Sequence, residues 1–217
     1  MKSDFWLSKW EANQIGFHQK KVNSRLKRLW ESNGLNNGDV FVPLCGKSKD
    51  MLWLAEQGRS VIGVEISDIA CQDFFEESGL THRVFDDERF KHFKGKDIEL
   101  LQGDFFALTR DDLPRVDIVY DRASLVALPP DMRKEYAEHL SKLLEAGDQV
   151  LLISMDYDQQ KMKGPPFSVS EEEIRLLFSD SFDIQRIACS SGPEIVGNLS
   201  ERGLDTLTEK IYIMTRT

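Results

Sequence analysis

A chain of 217 residues with 41% hydrophobic, 30% charged and 10% aromatic residues has the make-up of a globular protein with a sizeable core. Its 28 Lys and Arg against 37 Asp and Glu give a formal charge of -9, the wrong sign for gripping a phosphate backbone or an anionic lipid surface, which disfavours nucleic acid and membrane as partners. The cysteines Cys45, Cys71 and Cys189 form no CxxC pair and no zinc-ligand spacing, and no apolar run reaches the roughly 20 residues of a membrane span, so a protein of the reducing cytoplasm with no metal is expected.

The first forty residues read as helix. Beyond Phe17, the apolar residues Val22, Leu26, Leu29 and Trp30 recur at steps of three and four, and Gly34 is a stop signal. The basic run Lys20, Lys21, Arg25, Lys27 and Arg28 is the solvated face of this amphipathic arm, with an anion-docking patch as the competing reading. Strands and helices then alternate as in a parallel sheet with crossover helices: DVFVPL, a helix over KDMLWLAEQG, SVIGVEIS, a helix over CQDFFEESG, a polar stretch from Asp86 to Asp97, and IELLQGDFF. VDIVYD, a long helix closed by Gly147, and QVLLISMDY continue the pattern. SEEEIRLLF opens with a capping-box signature, Ser170 and Glu173. FDIQRIACSS and EKIYIMTRT follow with little helix between them, which predicts an antiparallel pair at the end of the sheet. No repeat or linker divides the chain, so residues 1–217 are expected to form one domain.

In open sheets of this kind ligands bind beyond the carboxyl ends of the strands, and the loop after the first strand is PLCGKS. A phosphate loop requires a glycine five positions before Gly46, where Phe41 stands. A dinucleotide loop requires three glycines where pyrophosphate approaches bare backbone, and only Gly46 is present. Adenosine ligands without a phosphate remain. The second strand ends in Glu65, placed to accept hydrogen bonds from both hydroxyls of a ribose. The third ends in Asp104 and Phe105, which can meet an adenine by a polar and an apolar contact, although Asp104 also suits a cap or a turn.

These segments carry a resemblance. VFVPLCGKSKDMLWLAEQGRSVIGVEIS, YDRASLVALPPDMRKEYA and GPPFSVSEEEIRLLF, with the N-terminal FWLSKWEANQIGFHQ, resemble the bacterial branch of the thiopurine S-methyltransferase family over nearly the whole chain. The resemblance implies a doubly wound α/β fold of the class I methyltransferase, Rossmann-like kind, seven-stranded and mostly parallel with an antiparallel last strand, and S-adenosylmethionine as cofactor. It places cofactor contacts on Trp10, Leu44, Gly46, Glu65, Asp104, Phe105 and Arg122, and puts Phe17, His18 and again Arg122 beside the acceptor. Residues 1–35 become a lid. For Trp10 the competing reading is a core staple paired with Trp6, and for Arg122 a salt bridge to Asp121 or Asp117. An arginine common in the family a few residues before RGL is Asn198 here, leaving Arg202 as the nearest cation in sequence.

The reaction implied is methyl transfer to the sulfur of thiopurines or related small aromatic thiols, by a monomer. An aromatic thiol is already partly ionised at neutral pH, so positioning outweighs base catalysis; Arg122, docking and ionising the acceptor, is the one catalytic candidate. Selenium or tellurium oxyanions are alternative acceptors, and a non-catalytic or NAD- or ATP-binding protein is the competing class.

Overall fold

The computed structural model describes residues 3–35 and 38–217, and the chain falls into two compact units that meet in sequence at Val119 and Tyr120. In the first, α1 (Ser3–Glu11) and α2 (Ser24–Ser32) precede β1 (Val40–Val42), α3 (Asp50–Glu56), β2 (Val61–Glu65) and α4 (Asp68–Ser78). Then come β3 (Arg83–Asp86), β4 (Lys91–Lys94), β5 (Ile98–Gln102), a short 3-10 turn (Phe105–Ala107) and the start of β6 (Ile118–Arg122). The strands lie in the order β3-β4-β5-β2-β1-β6. β1 runs parallel to β2 and β6, and β2 parallel to β5. Every residue of β1 and β2 is buried, as continuous apolar strands must be when helices cover both faces of a parallel sheet. α4 starts at an extended Ser67 whose hydroxyl accepts from the Ala70 amide at 3.2 Å, and it ends at Gly79 with φ 68°, a left-handed stop that favours glycine.

Two expectations need correction. The arm is not one helix: residues 12–23 are non-helical, because the Asn23 carboxamide oxygen accepts from the amides of Arg25 (2.8 Å) and Leu26 (3.4 Å) and so starts α2 afresh. Lys20 and Lys21 therefore lie outside any helix, and the first two residues of the expected 1–35 arm lie outside the described residues. The polar stretch from Asp86 to Asp97 is also not mere connection. Among the described residues the expected seven strands are all present, and the antiparallel hairpin β3–β4, added to β5, makes nine. All four residues of β3 are exposed, so it has no buried face to print an alternation on the sequence. Its turn is instead set by the Asp87 carboxylate, which accepts from the amides of Arg89 and Phe90 at 2.7 Å each.

The second unit holds the end of β6, a 3-10 turn (Leu125–Ala127), α5 (Pro130–Leu143), β7 (Gln149–Asp156), α6 (Glu171–Phe178), β8 (Phe182–Gly192) and β9 (Leu207–Arg216). The order is β6-β7-β9-β8, with β9 antiparallel to both β7 and β8, which is the antiparallel ending that the sequence predicts. The Ser170 hydroxyl accepts from the Glu173 amide at 3.1 Å and caps α6. Among the described residues no helix is long and apolar enough to cross a membrane.

Candidate functional site

The tip of β1 is strained. Leu44 holds φ 45°, a left-handed conformation that costs a branched side chain on the order of 1–3 kcal/mol and persists only where its surroundings enforce it. The Cys45 amide enforces it from one side by donating to the Val64 carbonyl of β2 at 2.9 Å. Gly46 lies two residues on with φ 52°, and a Cβ there would stand 3.3 Å from the Trp10 indole, so glycine is favoured by conformation and lets the ring lie close above it.

Glu65 ends β2 and is 6% exposed. Its Oε2 accepts from the Gly46 amide and its Oε1 from the Ser67 amide, each at 2.9 Å. Burial pushes its carboxyl above the ordinary glutamate value, against the pull of the Ser67, Gly46 and Ile66 amides. A carboxylate offers about four acceptor positions, so these amides do not exhaust it. The Gly103 amide donates to the Glu65 carbonyl at 2.9 Å, which fixes the end of β5 beside the end of β2.

Asp104 then caps the 3-10 turn, its exposed carboxylate accepting from the Phe106 amide at 3.0 Å, so the capping reading of this residue holds in the structure. The Phe105 ring is buried and lies parallel to Phe41 of β1, centroids 6.5 Å apart, inside the core.

The lysine of the GKS triplet, Lys47, is taken up by carboxylates. Its ammonium is buried and lies 2.7 Å from both Asp73 and Glu77 of α4, which neutralise it, and it faces the Trp10 ring at 5.8 Å. The two carboxylates hold the Lys47 ammonium above its usual pKa despite burial, which acts in the opposite direction. Trp10 is buried between this cation, Gly46 and Phe17; Phe17 meets both Trp6 (5.4 Å) and Trp10 (5.5 Å) edge to face. Trp6 and Trp10 thus share the Phe17 ring, and Trp10 also lies against the loop at Gly46. Phe17 is 38% exposed, and the half-buried His18 follows, its amide donating to the Ile15 carbonyl at 2.8 Å. The arm's second segment is tied down by the Asn23 amide, which donates to the buried Asp50 at 2.7 Å. Trp10 of α1, Phe17, Leu44, Gly46, Glu65 at the end of β2 and Asp104 are therefore linked through the loop after β1 and the neighbouring strand ends. Lys47 and Ser67 complete them, and the sequence reading missed both; the serine before Asp68, a helix-cap signature, was the available signal.

In the second unit Arg122 is the half-buried last residue of β6, and Ala123 after it holds φ 75°, a second strained strand tip. Its neighbour Asp121 is buried and accepts from the Tyr136 hydroxyl at 2.7 Å and from the amides of Ser124 and Leu125 at 3.2 Å. Asn198 is exposed, and the Arg202 guanidinium donates to the Pro165 carbonyl at 2.6 Å.

Known proteins match along the whole length. The family model for thiopurine S-methyltransferase matches residues 1–217. A thiopurine S-methyltransferase of Nitrosospira multiformis is 46% identical over 219 residues, and one of Azotobacter vinelandii 42% over 217, each covering 100% of both chains. Among solved structures, magnesium protoporphyrin IX methyltransferase from Synechocystis with bound S-adenosylhomocysteine superposes with TM-score 0.65 at 16% identity, covering 100% of each chain. The 1,6-didemethyltoxoflavin-N1-methyltransferase of Burkholderia thailandensis does so at 0.64 and 15%, covering 99% of this chain and 86% of that one, and both establish the shared fold. The chain belongs to the thiopurine S-methyltransferase family, whose members are S-adenosylmethionine-dependent methyltransferases.

Proposed function

We propose that the protein methylates the sulfur of thiopurines or related small aromatic thiols, as one domain over residues 1–217 that works as a cytoplasmic monomer with residues 1–35 as its lid. The observation that carries the cofactor site is the pairing of the Gly46 amide with Glu65: a one-glycine loop with its lysine neutralised has no nest for phosphate, while a buried carboxylate beside it keeps acceptor capacity for a ribose hydroxyl. In this reading Glu65 holds the ribose, Leu44 and Gly46 line the methionine end, and Asp104 meets the adenine from a turn that the buried Phe105 anchors. Trp10 covers the site and excludes water, and its π face tolerates a sulfonium.

Bound there, S-adenosylmethionine supplies the electrophilic methyl group. Phe17 and His18 flank the acceptor, and Arg122 docks it and favours its thiolate. Cation and anion cancel as the methyl moves, so a dry pocket favours the transition state over the separated ions, and no general base is needed. Two measurements test the reading. S-adenosylmethionine and its demethylated product should raise the melting temperature while ATP and NAD do not. Labelled methyl transfer should be seen with 6-mercaptopurine in a screen that also holds selenite and tellurite; labelling of the oxyanions alone would move the acceptor assignment to them.

A further inference from the structure

We propose that Arg133 and Tyr136, three residues apart on one face of α5, are positioning residues that set the turn carrying Arg122. This rests on the acceptor-docking role given to Arg122 above. The turn begins where Asp121 accepts the Ser124 and Leu125 amides, and the other Asp121 oxygen is held by the Tyr136 hydroxyl at 2.7 Å. It ends where the Arg133 Nε donates to the Leu128 carbonyl at 2.9 Å. Its middle is closed by the Phe167 amide, which donates to the Val126 carbonyl at 2.7 Å, and the Phe167 ring lies 5.8 Å from the Arg133 guanidinium. Arg133 is braced in turn from α6, its Nη1 donating to Glu173 at 2.6 Å.

The chemistry of the clamp is unlike that of a plain core contact. Arg133 is 1% exposed, and its Nη2 is buried without a hydrogen-bond partner. Buried ion pairs are often matched or bettered in stability by apolar residues of the same volume, so a buried guanidinium with an unused nitrogen earns its place through geometry. The geometry at stake is Ala123, which follows Arg122 at φ 75° and would relax if its surroundings released it. The two α5 side chains grip the turn on either side of that residue, one through Asp121 and one through Leu128.

The test is a double-mutant cycle with 6-mercaptopurine as acceptor. Tyr136→Phe keeps the ring and removes the donor; Arg133→Lys keeps the charge and removes the planar fork. Each should raise the acceptor KM by about tenfold, while the Kd of S-adenosylhomocysteine, read by calorimetry, stays within about twofold. In an Arg122→Ala background the same substitutions should add less than about twofold to the acceptor KM, because the residue they position is gone. If Arg122→Ala raises the KM and Tyr136→Phe multiplies it by the same factor in both backgrounds, Arg122 keeps its role and the proposal alone is overturned. If Arg122→Ala leaves the acceptor KM unchanged, the role of Arg122 fails and the proposal falls with it. A lowered melting temperature with unchanged acceptor KM in both α5 variants would mark them as packing residues and also overturn it.

Discussion

The Gly46 amide donates to Glu65 Oε2 at 2.9 Å, binding the loop after β1 to the tip of β2 across 19 residues of sequence. If Glu65 holds the ribose as proposed, ligand affinity and loop shape are linked through one carboxylate. Glu65→Ala should weaken S-adenosylmethionine by on the order of 1.5–3 kcal/mol, the range for charge-assisted hydrogen bonds, with the fold kept. Because burial raises the folded pKa, the neutral carboxyl is the form that folding favours: stability from this group is present below the ordinary value of 4.5 and declines as pH rises through the folded value. On the proposed binding mode cofactor affinity should have the opposite sign, since ribose hydroxyls would donate best to the carboxylate. Calorimetry should find binding weakening on acidification, beginning above pH 4.5, in the parent and not in Glu65→Ala.

The arm offers a second test. Trp10 is held by Gly46, Lys47 and Phe17, whereas Lys20 and Lys21 are exposed and outside any helix. Trypsin should cut there in the free protein and more slowly with cofactor and acceptor present. Lys47→Met removes the cation under the ring and leaves Asp73 and Glu77 facing each other, and should speed that cleavage by about fivefold or more. Deleting residues 1–18 should leave a folded sheet by circular dichroism with turnover lowered well over about tenfold. Unchanged turnover would reduce the arm to packing.

The hairpin β3–β4 should respond to alkali. His92 sits between Asp87 (2.8 Å) and Glu99 (2.9 Å), and despite the lowering effect of burial these hydrogen bonds and charges hold its pKa above 6.5. The stability it contributes is full below 6.5 and lost as pH rises through the folded value. His92 in turn, with the amides of Phe90 and Arg89, holds Asp87 below its usual carboxylate range, which adds stability above 3.8 that disappears on acidification. The melting temperatures of the parent and His92→Gln should accordingly differ most near pH 6 and converge by about pH 9. A constant gap would mean that the imidazole acts by packing on Phe85, 4.5 Å away.

Position 198, where the resemblance puts an arginine on the acceptor side, offers a test of acceptor charge. Asn198 is exposed, and the nearby Arg202 already donates to Pro165. Asn198→Arg should lower the KM for an anionic thiopurine a few-fold, about 1 kcal/mol or less at an exposed site, and leave a neutral thiol unaffected. Equal effects on both acceptors would exclude charge as the cause.

The strands were legible wherever both faces are buried. VFV of β1 and VIGV of β2 are continuous apolar runs, and the other strands expected from the sequence, the largely exposed β8 among them, also form among the described residues. β3 was not legible, because a hairpin added at a sheet edge needs no apolar face and its turn depends on Asp87 reaching back to two amides. Glu65 and Gly46 could be singled out from spacing, since both lie at the tips of neighbouring strands, where the Gly46 amide meets the Glu65 carboxylate. Lys47 could not: its partners Asp73 and Glu77 are 26 and 30 residues away, and nothing local marks a surface-looking lysine as buried. The grip of α5 on the Arg122 turn was hidden for the same reason, because Tyr136 reads as one more apolar helix position until its hydroxyl is seen on Asp121.

The contact of Trp10 with bare backbone at Gly46 has a consequence for exchange of parts between relatives. A side chain at position 46 would press its Cβ on the indole at 3.3 Å and make the ring shift, and an arm with a smaller ring at position 10 would leave a gap above the glycine. The two positions are fitted to one another across 36 residues, so chimeras should tolerate a transplanted arm when its matching loop travels with it and lose activity when the junction falls between them.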